Sequence, residues 1–589
     1  MVNTKHINIL PFGKAWLGSL CLVGAMGLTS CSDFLSEQVP QGTLSDEQVN
    51  TPAYADKQVT SAYAIFATSE DINASFSLWN YDVRSDDAYK GGSTTNDGDV
   101  FHQLEVEQGV LPTSWNLNDI WVRLYNSISR VNAAIHAVEG CDASFKQKDQ
   151  RLAELHFLRA YAHFQLKRLF KNIPFVIDTN LSYDDYSQIT NTKYSNDEGW
   201  QVIADDLEYA YGILPDTQAD KGRPTKAACA AFLAKVYLYK AYHQDDAASH
   251  KVTSINEADL QKVIEYTNPS IYKNGGYDLE KDIHNNFRPE EQFENGCESL
   301  WAIQYSRNDG TKYGSLNFGY GLICPNIVNV TDGGCDFYKP SQNLVNAFRT
   351  DDKGRPYLDS YNAKNYDKAA DNADPRLFLT VGMPGLPYMF NPNFIMDESS
   401  NWSRSGGLYG YNVTLKHNVD PALIDQYLIK GSFWASSMNR IVFRYADVIL
   451  MRAEAYAQLN QGGEAVKLVN QIRERAAGST QTISNYPVKY GVKIYCKKYD
   501  EGSYSKEDAL KMVKMERRLE LAMESERFFD LVRWGDAEKV LNEYFDVEKG
   551  RCNIYNDAKF TANKNEYLPI PHSQISASNG NYKQNIGNW

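Results

Sequence analysis

Three things are scarce in this 589-residue chain, and each scarcity removes a class of function. Long hydrophobic runs are missing: the longest, Trp16 to Leu28, has 13 residues, short of the ~20 that a membrane-spanning helix requires. Positive charge is in deficit, with 60 Lys and Arg against 74 Asp and Glu and a net charge of −14, so a nucleic-acid backbone or an anionic lipid surface is a poor partner. Strings for common chemistry are missing too. The chain has no HExxH, no GxSxG elbow, no phosphate-binding loop and no GxGxxG after a strand. It has no CxxC or Cys/His cluster with zinc spacing either, so no metal and no cofactor is expected.

What is present begins with Leu28-Thr29-Ser30-Cys31, a lipobox closing the short apolar run that Lys5 and Lys14 precede. Residues 1–30 read as a lipoprotein signal peptide and Cys31 as the acylated first residue of the mature chain. Two or more acyl chains, at roughly 0.8 kcal/mol per buried methylene, make such an anchor stable. The mature chain keeps 58 basic and 74 acidic residues, a net charge of −16. Seven further cysteines remain, an odd number, so at least one is free; Cys324 and Cys335 flank a Gly-rich segment as a pair or as thiols. Aromatics make up 13% of the chain, and many lie in Gly/Asn/Asp-rich segments, where a ring face beside amides and carboxylates suits a sugar. Most of them simply finish a large core.

Helical periodicity starts at Asp119 and runs through Trp121, Leu124, Ile128, Val131, Ile135 and Val138 to Gly140. Leu152 to Leu169 gives a second helix, ended at Asn172-Ile173-Pro174. The paired pattern returns at 197–214 and at 224–242, with Pro224 suited to a first helical turn. Near the C-terminus it returns at 443–459, broken at Gly462-Gly463, then at 464–477, and 505–542 predicts two more helices. The second helices carry small residues where neighbours approach, as in Phe157-Leu158-Arg159-Ala160 and Phe232-Leu233-Ala234, which is the logic of tetratricopeptide-like stacking without a strict 34-residue period. The fold class expected is mainly α: one body over 31–589, with repeat helices at about 119–270 and 440–545. An irregular, loop-rich excursion at about 275–438 is the expected place for binding.

These strings resemble the SusD/RagB family of outer-membrane nutrient-binding lipoproteins of Bacteroidetes nearly end to end. Cys31-Ser32-Asp33-Phe34-Leu35 is similar to its mature start, and Trp121-Val122-Arg123-Leu124-Tyr125 with Leu158-Arg159-Ala160-Tyr161 to its first repeat. Arg444-Tyr445-Ala446-Asp447, Asn470-Gln471-Ile472-Arg473, Glu516-Arg517-Arg518, Arg527-Phe528-Phe529-Asp530 and Leu568-Pro569-Ile570-Pro571 are similar to its most specific signatures. The resemblance implies a non-catalytic, lipid-anchored protein facing the cell surface, which captures a polymer fragment and delivers it to a SusC-like TonB-dependent transporter. It also implies that the signature charges serve helix packing and do not touch ligand.

Ser77 to Asp82, Ser85 to Gly92 and Ser576 to Asn581 look like the fructan-locus branch, whose members bind levan. On that resemblance the ligand site comprises Asp71, Asn73, Asp97 and Trp115, with Trp115 stacked on a furanose ring, together with Cys335, Arg404, Phe433 and Trp434 from the excursion. Where the branch places a tyrosine this chain has Phe433, which brings no hydroxyl. Against these roles, Asp71 suits a turn cap, Trp115 a plug for the first repeat, and Phe433 and Trp434 core packing. A glycoside hydrolase built on Asp86-Asp87 is the enzyme alternative, which needs carboxyls about 5–10 Å apart, but acidic pairs in Asn/Gly loops are usually turn formers. Another glycan, a peptide and an adhesive role are the binding alternatives.

Overall fold

The computed structural model describes residues 50–67, 82–141, 144–180, 185, 188–310, 314–317, 319–326, 334–429 and 435–589. Cys31 and the leader, Asp71, Asn73, Phe433 and Trp434 lie outside the described residues. The first stack of helices comprises α1 (Pro52–Ala64), α2 (Asp99–Glu105), α3 (Trp115–Gly140), α4 (Lys148–Phe170), α5 (Asn196–Ile213), α6 (Lys226–Ala241) and α7 (Glu257–Tyr266). The second comprises α8 (Tyr445–Gln458), α9 (Gly462–Gly478), α10 (Lys506–Glu520), α11 (Arg527–Trp534) and α12 (Ala537–Glu548). Among the described residues no helix is long and apolar enough to cross a membrane.

Local chemistry explains the starts. Ser195 and Glu198 form a reciprocal capping box on α5, Thr225 caps α6 through the Ala228 N–H, and Asn256 and Ser505 cap α7 and α10. Thr225 therefore takes the cap, and Pro224 precedes the helix where it was expected in the first turn. Helix α3 begins four residues before the expected Asp119, because its first turn carries the exposed Trp115 and adds little to the apolar stripe. The break expected at Gly462-Gly463 falls at 459–461, and the two glycines open α9; a Cβ on Gly462 would lie 2.3 Å from the Tyr504 carbonyl oxygen, which requires glycine there. The 505–542 stretch gives three helices where two were expected: Gly535, at φ 75°, ends α11 in the left-handed conformation and α12 restarts at Ala537.

Neighbouring helices pack in an unbroken series: α1 on α3, α3 on α4, α4 on α5, α5 on α6, α6 on α7, then α7 on α8 and α8 on α9 and α10. The two helical stretches, about 180 residues apart in sequence, thus join through α7 and α8. Helices α4 and α6 are buried on nearly every face, and Ala227, Ala228, Ala230, Ala231 and Ala234, all fully buried, let the neighbours of α6 come close. Around them Phe157, Tyr161, Phe232 and Trp301 meet edge to face at 5.0–6.3 Å. Each such ring contributes roughly 1.5–3 kcal/mol by burial.

The stretch between the two helical regions is rich in loops and short elements and is packed into the body. Strands β1 (Ala88–Gly91), β2 (Ser299–Ile303), β3 (Phe337–Pro340) and β4 (Arg440–Arg444) form two antiparallel ribbons, β1 with β3 and β2 with β4, each joining segments far apart in sequence. Arg376, Tyr338, Tyr388 and Phe348 from this stretch are all at most 1% exposed.

Candidate functional site

The β1–β3 ribbon positions the residues that come together. Tyr89 faces Lys339 and Gly91 faces Phe337 in register. The chain then turns at Gly91 and Gly92, with φ 79° and 78°; a Cβ on Gly91 would sit 2.3 Å from the Asp336 carbonyl oxygen, so only glycine fits this approach. The turn is closed from inside. Ser93 donates its N–H and its hydroxyl to Asp97 Oδ2 at 2.9 and 2.8 Å, and Lys90 Nζ donates to the carbonyls of Thr94 and Asp97 at 2.9 and 2.6 Å.

Onto this turn reaches Arg404, 307 residues away, whose Nη1 donates to Asp97 Oδ2 at 3.1 Å and to the Cys335 carbonyl at 3.3 Å. Its backbone is pinned from below. The Arg404 N–H and the Ser403 hydroxyl donate to Asp336 Oδ2 at 2.9 and 3.0 Å, and Lys339 Nζ donates to Asp336 Oδ1 at 2.5 Å. Asp97, Cys335 and Arg404 therefore come together in one constellation. Trp115 stands in the first turn of α3 with 55% of its surface exposed, which excludes the role of a core plug.

The electrostatics follow from burial. Desolvation alone would raise the Asp97 carboxyl, but the two Ser93 bonds and the charges of Arg404 and Lys90 hold it below the usual carboxylate range. Burial pulls the Lys90 ammonium down to about 8, against the attraction of Glu105 and Asp97. Asp336 is pushed up by burial despite Lys339, and burial likewise raises the Cys335 thiol. Cys335 and Cys324 are thiols and share no disulfide. Their segments are joined through the backbone instead, Cys335 N–H to the Gly321 carbonyl at 3.1 Å and Asp336 N–H to the Cys324 carbonyl at 2.9 Å.

The supporting residues Lys90, Ser93, Asp336, Lys339 and Ser403 were not identified from sequence; the Gly91-Gly92 pair was the one local sign of a tight turn there. Asp86 and Asp87 lie in a turn, as acidic pairs usually do, and are fully buried there: Arg518 Nη2 and Arg527 Nε lie 3.0 and 2.8 Å from Asp86, and Arg518 Nε lies 2.7 Å from Asp87. A sealed carboxylate pair cannot meet a glycosidic bond. Among the described residues Asp197, His243 and Asp245 hold ligand atoms within 4.8 Å of one another. His243 is bonded to Asp197, and Asp245 accepts the Asp197 N–H at 3.0 Å, so these groups already partner each other.

Comparison with known proteins agrees with this architecture. The profile described as "SusD family" matches residues 297–589, and the one described as "Starch-binding associating with outer membrane" matches residues 33–238. The SusD-like protein P2 of Formosa agariphila is 25% identical over 581 residues, 96% of this chain and 98% of that protein. A SusD superfamily protein from Bacteroides vulgatus superposes with a TM-score of 0.67 at 22% identity, covering 92% of this chain and all of the other. A structure described as a laminarin binding SusD-like protein gives 0.63 at 22% identity, covering 91% of this chain and all of the other. With the two profiles covering most of the sequence and the helical body superposing on solved members, the chain belongs to the SusD/RagB family.

Proposed function

We propose that this protein captures a neutral glycan, a β-fructan of the levan type before others, at the Asp97–Arg404 pair with Trp115 as the stacking platform, and delivers it without cleavage to a TonB-dependent outer-membrane transporter. Acylation of Cys31 holds it to the outer membrane, facing the cell surface. One observation carries the glycan reading: the Arg404 guanidinium is half engaged. Only Nη1 bonds within the described chain, while the side chain keeps 32% of its surface exposed on an immobilised backbone. A planar donor fork held beside a carboxylate and a carbonyl can bridge vicinal hydroxyls. A half-buried ion pair of this kind places both a donor and an acceptor, as a polyol needs and a hydrocarbon does not. The association with the outer membrane in one family description and the laminarin bound by one structural relative support the setting.

Calorimetric titration with levan oligosaccharides tests the ligand. Trp115→Ala is expected to lose at least tenfold in affinity with an unchanged melting temperature, since stacking and burial are on the order of a few kcal/mol. Unchanged binding removes Trp115 from the site, and binding of α-glucan or peptide in place of levan overturns the fructan assignment alone. Cys31→Ala is expected to abolish acyl labelling and membrane retention. Affinity purification of the tagged protein from native membranes is expected to bring down a large barrel protein, and its absence with and without glycan overturns delivery.

A further inference from the structure

Strand β1 has two faces, and the Asp97–Arg404 pair uses only one. Lys90 extends toward Asp97, so its neighbour Tyr89 extends the other way. There the Tyr89 hydroxyl donates to Glu548 Oε2 at 2.9 Å and accepts the Gln342 N–H at 3.1 Å. Beyond it opens a cleft of about 460 Å³, inside the range of roughly 300–1,000 Å³ that small-ligand sites occupy. We infer that this cleft is a second carbohydrate-binding site, which takes a neutral oligosaccharide by the same chemistry as the first. The inference rests on the glycan reading of the Asp97–Arg404 pair.

Three features argue for a sugar. The lining is mixed: Tyr366, Tyr411, Met383 and Leu408 offer apolar faces, while Asn365 and Asn412 offer amides. Such a mixture matches a ring with C–H faces and a hydroxyl rim. The charge cancels. Lys368 and Arg551 stand against Glu398 and Glu548, and Arg551 is paired with Glu548, so neither an anion nor a cation is favoured. The wall is also braced in advance. Arg551 Nη2 donates to Asn365 Oδ1 at 2.7 Å, while Gln342 Nε2 and the Tyr366 N–H both donate to Asn346 Oδ1 at 2.8 Å. The Tyr366 hydroxyl is sealed from water, so this residue offers the cleft its ring and not its hydroxyl.

Two adjacent glycines of the lining differ in what the fold demands of them. A Cβ on Gly406 would lie 2.2 Å from the Tyr411 ring, so that glycine seats the ring. Gly407 beside it lines the cleft, is exposed, has no positive φ and has nothing within 4 Å of a Cβ, so the fold accepts a side chain at this edge of the cleft. The Trp402–Asn412 segment thereby serves both faces, with Arg404 on the first site and Gly406 to Asn412 on the second.

The test is titration calorimetry of the full mature chain with short and long levan oligosaccharides, and with laminarin and α-glucan oligosaccharides as further probes. Two equivalents of a short oligosaccharide are expected per chain, falling to one in Gly407→Trp and to one in Arg404→Ala. Long chains are expected to bind at least tenfold more weakly to Gly407→Trp, with an unchanged melting temperature. One equivalent in the wild type, with Gly407→Trp unaffected, overturns the cleft and leaves the first site standing. Binding lost in Gly407→Trp and intact in Arg404→Ala overturns the first site and leaves the cleft. Silence of the wild type toward all three glycans overturns both.

Discussion

The same chemical pair, arginine with carboxylate, appears in two regions of this molecule with opposite consequences. Around α8 to α11 it is buried and multiply paired. Glu520 receives Arg444 and Arg376 at 3.0 Å each and Arg475 more closely still, and Arg517 spans Asp447 at 2.8 Å and Asp530 at 2.9 Å, all at most 8% exposed. At the β1 turn it is half exposed and unsaturated, Arg404 with Asp97. Burial closes the interior pairs to a ligand; the surface pair stays open to one. Burial decides which arginine is architecture and which can bind, because a charge taken out of water must find all its partners inside the protein.

The largest expected effect is in the interior. Burial would raise the Glu520 carboxyl, but the charges of Arg475, Arg444 and Arg376 outweigh it and hold it well below the usual range. Glu520→Gln leaves three guanidiniums short of one charge, and a loss of about 3–5 kcal/mol is expected in urea unfolding. A loss below 1 kcal/mol would break the comparison, since the network would then be no more than surface-like.

A smaller effect is expected at Asp82, which sharpens the same contrast. Four residues before Asp86 and equally buried, it has no arginine. Tyr338 Oη and the Ser525 N–H donate to its Oδ2, the latter at 2.8 Å, its Oδ1 has no partner, and burial pushes its carboxyl up to about 7. A raised carboxylate contributes stability below the unfolded value near 4 and loses it as pH rises through about 7. Stability is thus expected to decline between pH 4 and 7, and Asp82→Asn to remove roughly 2 kcal/mol of that decline. An identical pH profile in the variant would sink this assignment.

The smallest effect on stability belongs to the surface pair. Arg404→Ala is expected to shift unfolding by no more than about 1 kcal/mol, as exposed pairs do, while glycan affinity falls at least tenfold. Because Asp97 is held below its usual range and Lys90 keeps its charge below about 8, wild-type affinity is expected to stay flat from about pH 7 down to about 4. A large stability loss without an affinity loss would move Arg404 into the architectural class.

Much of the scaffold was legible because helices announce themselves locally. Apolar spacing and caps located α3 to α6 and α8 to α10 within a few residues, and small residues such as Ala160 and Ala234 pointed to close stacking. The short pairings were not legible. Strands of four or five residues such as β1 and β3 carry no period long enough to read, and their partners lie some 250 residues apart. Of the candidate site, Asp97, Cys335 and Arg404 were found through family resemblance, while Lys90, Asp336 and Ser403, which hold them, act through contacts that no spacing reveals.

By itself the sequence determined the lipobox, the acidic character, the helical periods and the family strings, since each is written in residues adjacent or one helical turn apart. Tertiary structure decided which charges are exposed. Nothing local distinguishes Arg404 from Arg444 or Asp97 from Asp86, yet one pair faces water and the others are sealed. Solvent access depends on what the rest of the chain lays over a residue, and for Arg404 and Asp97 that is settled by segments 307 residues apart meeting at a single glycine turn.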